Sequence, residues 1–219
     1  MHYILNIETA TKNCSVSLAK NGQTVVCKEI SELGYSHAEK LHLFIQEVLQ
    51  ESGVALSQLS AIAVSQGPGS YTGLRIGVST AKGLSYALQI PLIAVDTLLA
   101  LAHQVSECDG YIVPMIDARR MEVYSAIFDS NKQKIREVQA EIITAESFES
   151  ISETIYFIGD SNEKVKSVLI KPNFVYLDTI QYPSSKEMSN ISYQKFIEKN
   201  FEDIAYFEPY YLKDFLFAK

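Results

Sequence analysis

Cys14-Ser15-Val16-Ser17-Leu18-Ala19-Lys20-Asn21-Gly22-Gln23-Thr24-Val25-Val26 reads as a β-hairpin. Cys14, Val16 and Leu18 alternate onto one face, the period of a strand. Asn21-Gly22 is a tight-turn signal, because both residues tolerate positive φ. Upstream, Tyr3–Glu8 is a short apolar run and reads as a first strand; downstream, residues 24–30 complete a three-strand meander. Ser36 and Glu39 have capping-box spacing and open a helix. Leu41, Phe44, Ile45, Val48 and Leu49 form its apolar stripe, and Gly53 ends it. A strand over 61–65, a Gly-rich loop, a helix over 72–88 closed by Pro91, a strand over 92–95 and a Thr97-capped helix to about 106 follow. The first half is βββαβαβα.

The second half repeats the pattern. Strands are expected over 111–117, 122–128 and 135–138, a short helix over 145–150, a strand over 154–158 and a helix over 162–170. A short strand over 175–177 and a helix over 185–200 complete it. A meander feeding βαβα units gives a mixed sheet with helices on its faces, so the fold class is α/β. The expected division is a lobe at 1–106 and a smaller one at 107–219. Duplicated lobes point the ends of their first strands, Glu8 and Asp117, into one cleft, where paired carboxylates hold Mg²⁺ or orient water. The other reading is two ordinary turn acids.

With 47% hydrophobic and 21% charged residues, the balance is that of a globular chain. No apolar run reaches the roughly 20 residues of a membrane helix, and the N-terminus has no signal-peptide pattern. Cys14, Cys27 and Cys108 are odd in number and widely spaced, which fits small hydrophobes in a reducing cytosol. The net charge of −7 argues against a stand-alone nucleic-acid binder. Arg119-Arg120 is the local exception, and reads either as a phosphate or internal-carboxylate contact or as a solvated turn.

Gln66-Gly67-Pro68-Gly69-Ser70-Tyr71-Thr72-Gly73-Leu74-Arg75-Ile76-Gly77 lies between strand and helix, where phosphate loops occur. It matches neither the dinucleotide fingerprint nor the P-loop, which needs a Lys-Ser/Thr after its last glycine. The helix after it carries Leu74, Val78, Ala81, Leu84 and Leu88 as a core stripe. A second stripe of Gly73, Ile76, Thr80, Gly83 and Ala87 is small or apolar. Small residues admit a close helix, either from the same lobe or from a partner. Leu43 is the one clear apolar residue on the far face of the preceding helix. His37 and His42 lie about 140° apart round a helix, unsuited to one metal, and no G-x-S-x-G elbow is present. A metalloprotease is thereby disfavoured. An ATP-dependent phosphotransferase or hydrolase acting through Glu8 and Asp117 is the enzymatic alternative to a docking protein.

Ile4-Leu5-Asn6-Ile7-Glu8-Thr9-Ala10-Thr11, Ser36-His37-Ala38-Glu39-Lys40-Leu41, the Gly-rich segment, Asp117-Ala118-Arg119-Arg120-Met121-Glu122 and Pro209-Tyr210-Tyr211-Leu212 together resemble the TsaB (YeaZ) family over nearly the whole chain. The resemblance implies an actin-like ATPase-domain fold (ASKHA, ribonuclease H-like) with a reduced second lobe. It implies a cytoplasmic, non-catalytic subunit in the making of N6-threonylcarbamoyladenosine at tRNA position 37. The catalytic partner would be a TsaD homologue, met through the first two helices, with a TsaE homologue joining. It further implies a homodimer when alone, tRNA contacted only indirectly, and ATP and Mg²⁺ belonging to the complex rather than to this chain. Glu8 departs from the family, which more often has Asp there.

Overall fold

The computed structural model describes residues 1–31 and 37–213, whose strands form two five-stranded sheets. Ser36, and with it the expected capping box, lies outside the described residues. In the first sheet β1 (Tyr3–Glu8), β2 (Cys14–Lys20) and β3 (Gln23–Ile30) make the meander, and β4 (Leu59–Gly67) and β5 (Leu92–Asp96) extend it in the order β3-β2-β1-β4-β5. The hairpin turn falls at Asn21 and Gly22, both at positive φ (49° and 83°). The second sheet holds β6 (Tyr111–Asp117), β7 (Glu122–Phe128), β8 (Lys134–Ile142), β9 (Ile155–Ile158) and β10 (Phe174–Tyr176). Its order is β8-β7-β6-β9-β10, strand for strand that of the first. The senses repeat too: β1 and β6 are antiparallel to the strand that follows and parallel to β4 and β9 respectively. This is the duplicated, actin-like α/β arrangement.

Alternation along the strands gives the first sheet two buried faces. Leu5, Ile7, Val16, Leu18, Ile62 and Val64 point to one side. There they meet Leu41, Phe44, Ile45 and Val48 of α1 (His37–Ser52) and Val78 and Ala81 of α2 (Tyr71–Leu88). Each such side chain contributes roughly 1.5–3 kcal/mol by leaving water. Ile4, Ala61, Ala63, Ile93 and Val95 point the other way, onto Met188 and Ile191 of α5 (Ser185–Ile197).

That last contact corrects the expected division at residue 106. The compact units are Met1–Ala100 with Pro183–Tyr210, and Leu101–Tyr182 with Tyr211–Lys219. The chain returns because the second face of the first sheet needs a cover, and α5 supplies it. Much of that interface is polar. Ser17 Oγ donates to Ser185 O at 2.8 Å, Ser192 Oγ to Asn6 Oδ1 at 2.6 Å, and Thr24 and Ser189 hydroxyls pair at 2.8 Å.

The second unit is leaner. Its core joins Val113, Met115, Val123, Ile155 and Phe157 with Phe148, Val165, Leu169 and Phe174. No helix forms over 145–150: Phe148 takes φ 63°, which breaks a helix and sets its ring edge-on to Phe157 at 5.5 Å. The expected helix over 162–170 shrinks to α4 (Asn162–Val165). α3 (Thr97–Ala102) ends early, and its cap is Asp96, whose Oδ1 accepts from Leu98 N and Leu99 N at 2.8 and 3.2 Å. Thr97 Oγ1 instead accepts from Gly67 N at 3.1 Å. Among the described residues no helix is long and apolar enough to cross a membrane.

Candidate functional site

The Gly-rich segment is a packing device. A Cβ added at Gly69 would stand 2.2 Å from Ala10 O, at Gly73 2.1 Å from Thr9 O, and at Gly77 2.2 Å from Thr9 Oγ1. Glycine at these three positions, four apart, lets the β1–β2 connection lie directly on α2. Polar groups then close the contact: Ser70 N donates to Ala10 O at 2.6 Å and Thr9 Oγ1 to Gly73 O at 2.8 Å. Ser70 caps the helix, its Oγ accepting from Gly73 N at 3.2 Å. Two amides at the start of the helix are thus taken within the chain, Ser70 N by the Ala10 carbonyl and Gly73 N by the Ser70 hydroxyl.

The exposed side of α2 matches the second stripe except at one residue. Gly83 and Ala87 are exposed, and Ile76 and Thr80 are half-buried. An added Cβ at Gly83 meets nothing within 4 Å. Leu43 on α1 is 42% exposed. Gly73 does not belong to this surface, because the Thr9 contact buries it. Tyr86, 70% exposed, adds a large ring beside the small residues.

A second feature escaped the sequence. Residues 202–210 strap the flank of α2: Lys82 Nζ donates to Phe207 O at 2.9 Å, and Ile204 and Phe207 enter the core. Glu202 N donates to Leu92 O at 2.9 Å and Tyr210 N to Gln66 O at 2.7 Å. The Pro209-Tyr210 motif is one end of this strap.

Glu8 is fully buried at the end of β1, not presented to an open cleft. Its Oε1 accepts from Ala10 N at 2.6 Å and Ser65 Oγ at 2.9 Å, while Oε2 has no partner among the described residues. Burial pushes its pKa up to about 7 against these hydrogen bonds, which pull the other way. The Cys14 thiol is pushed up to about 11 by burial and by the Glu8 carboxylate, so it is a poor nucleophile.

Asp117 ends β6 in the second unit and is exposed. Lys164 of α4 pairs with its carboxylate, and Arg119 N donates to Oδ1 at 3.0 Å. Asp117 N donates to Asp160 Oδ1 at 2.8 Å. Arg119 and Arg120 follow in a tight turn with φ 73° and 51°, both exposed. For residues with a Cβ this conformation costs roughly 1–2 kcal/mol each. Glu8 and Asp117 sit in different units and each is held within its own.

His37 Nε2 lies 2.8 Å from Thr11 O, donating to a carbonyl that can only accept. That makes it a structural histidine. His42 is exposed. No group of three or more His, Cys, Asp or Glu suited to a metal occurs among the described residues.

Residues 30–213 match the family model of TsaD, tRNA N6-adenosine threonylcarbamoyltransferase. The chain is 30% identical to the tRNA threonylcarbamoyladenosine biosynthesis protein TsaB of Escherichia coli, over 96% of this chain and 94% of that protein. It is 33% identical to the tRNA N6-adenosine threonylcarbamoyltransferase of Bacillus subtilis, over 42% of this chain and 31% of that one. Among solved structures, YeaZ from Pseudomonas aeruginosa superposes with a TM-score of 0.85 at 26% identity, covering 97% of this chain and all of that one.

Proposed function

The chain belongs to the TsaB (YeaZ) family of tRNA threonylcarbamoyladenosine biosynthesis proteins, and from that premise we propose that it works by docking. It is a non-catalytic subunit that supports a TsaD homologue in transferring the threonylcarbamoyl group to adenosine 37 of tRNA. The observation that carries this reading is the outward side of α1 and α2. Leu43, Ile76, Thr80, Gly83 and Ala87 form a surface of apolar and small residues, with open space over Gly83. Small residues let a partner helix approach to the near end of the usual 8–10 Å. An exposed apolar face also favours a homodimer when the partner is absent.

Two further features support a non-catalytic role. The Glu8 carboxylate is buried and tied to its own turn. Two amides at the start of α2 are already engaged, Ser70 N by the Ala10 carbonyl and Gly73 N by Ser70 Oγ. ATP and Mg²⁺ accordingly belong to the complex, with a TsaE homologue as third member. The test is co-purification with the host's TsaD homologue, followed by size-exclusion chromatography with light scattering. A stable heterodimer that forms at the expense of the homodimer is expected. A chain that stays homodimeric or monomeric beside TsaD would refute the docking role.

A further inference from the structure

The turn between β6 and β7 presents charge that its own unit does not consume. Residues 119–121 form its loop, closed by Ala118 N to Glu122 O at 3.1 Å and Glu122 N to Arg119 O at 3.2 Å. Further bonds hold it from both sides. Arg119 N donates to Asp117 Oδ1 at 3.0 Å, Ile143 N to Met121 O at 2.9 Å, and Lys164 Nζ to Glu122 O at 2.6 Å. Two consecutive left-handed residues with side chains persist only where the surroundings over-determine them. The β2–β3 turn of the same chain meets the same backbone demand with Asn21 and Gly22. Arginine is therefore not there for the turn's sake.

The nearby acids are already engaged. Asp117 is paired with Lys164, Glu122 with Lys213, and Asp160 accepts the Asp117 amide. Neither guanidinium has an ion pair or side-chain hydrogen bond among the described residues. The internal-carboxylate role left open by the sequence is thus not the one seen. What remains is two adjacent, permanently charged, planar groups on a rigid exposed turn. A guanidinium fork matches the oxygens of a phosphodiester and can bind two at once.

We propose that Arg119 and Arg120 are a phosphodiester-binding turn that takes the backbone of the tRNA on which the complex acts. This rests on the docking function above, and replaces the indirect contact with tRNA expected from the sequence by a direct one. With −7 net charge on the chain and only two such contacts, affinity from this turn alone is modest. It adds to whatever RNA surface the catalytic subunit contributes.

The experiment titrates labelled, unmodified tRNA transcript into the assembled complex over a range of KCl concentrations. Wild type is compared with the double variant Arg119→Asn/Arg120→Gly, and melting of the variant chain is recorded separately. The expected result is binding weakened about tenfold or more, a salt slope reduced by about two, and a melting temperature equal to or above wild type. Unchanged affinity and slope with the complex intact would overturn the proposal. So would a lowered melting temperature, which would make the arginines structural. Loss of the complex itself would overturn it in favour of an acidic protein surface as the ligand. If the wild-type chain forms no complex, the docking function fails. The same titration is then run on the chain alone, where equal affinity of wild type and variant overturns the phosphodiester assignment.

Discussion

The connections β1–β2 and β6–β7 hold the same place in two sheets of identical strand order, and they end up in opposite environments. The first is pressed under the Gly-rich loop and α2, with glycine at 69, 73 and 77 where a Cβ would collide with Thr9 or Ala10, and its acid, Glu8, is fully buried. The second is bonded by Lys164 of the four-residue α4, by Asp160 and by Ile143, and its acid, Asp117, stays exposed and paired with Lys164. The helix that follows the fourth strand of each sheet makes the difference. An eighteen-residue helix with a glycine face seals a turn into the core; a four-residue one leaves it outside. Duplication thus supplied two equivalent positions, and packing turned one into a foundation for α2 and the other into a presented turn.

The contrast is broken most severely at Gly73. Replacement by Ala drives a methyl into the Thr9 carbonyl, a backbone atom that cannot swing aside. A loss of about 3 kcal/mol or more in urea unfolding is expected, at the upper end of overpacking costs. Gly83→Ala, which meets nothing, should instead gain up to about 1 kcal/mol from helix propensity. Equal effects at the two glycines would contradict the packing role of the first.

Glu8 sharpens the comparison through pH. Its folded pKa of about 7 lies above the ordinary 4.5, so the folded chain holds the proton more tightly than the unfolded one. Stability from this group is therefore greatest below pH 4.5 and falls as pH rises toward 7. Above that the full cost, on the order of 3 kcal/mol, persists. Glu8→Gln should match wild type near pH 4.5 and exceed it by roughly 2–3 kcal/mol at pH 8. Parallel stability profiles for the two proteins would show the carboxylate to be less confined than described. The counterpart change, Asp117→Asn, removes an exposed ion pair and should cost about 1 kcal/mol or less in the same assay.

The leading strands of both sheets were legible because they are short apolar or alternating runs bounded by turn residues; Tyr3–Glu8 of the first sheet and Tyr111–Asp117 and Glu122–Phe128 of the second match expectation end to end. The return of α5 to the first unit was not, since the face it packs interleaves Ser185, Ser189 and Ser192 with Met188 and Ile191 and so shows no continuous apolar stripe. The strap over 202–210 has no periodicity, and its partners lie more than a hundred residues away. Along α2, Ile76, Thr80, Gly83 and Ala87 share the less buried side, as their helical spacing implied, but whether Gly73 faced outward or inward depended on Thr9. The recurrence of glycine at 69, 73 and 77 was the available signal for a close approach on that side.

The most direct test of the docking account is Gly83→Leu, assayed for complex formation with TsaD by light scattering. The substitution has open space around it, so the chain should fold and melt much as wild type does. The account predicts that this folded variant fails to form the heterodimer. A folded variant that still pairs with TsaD would contradict the docking surface described here.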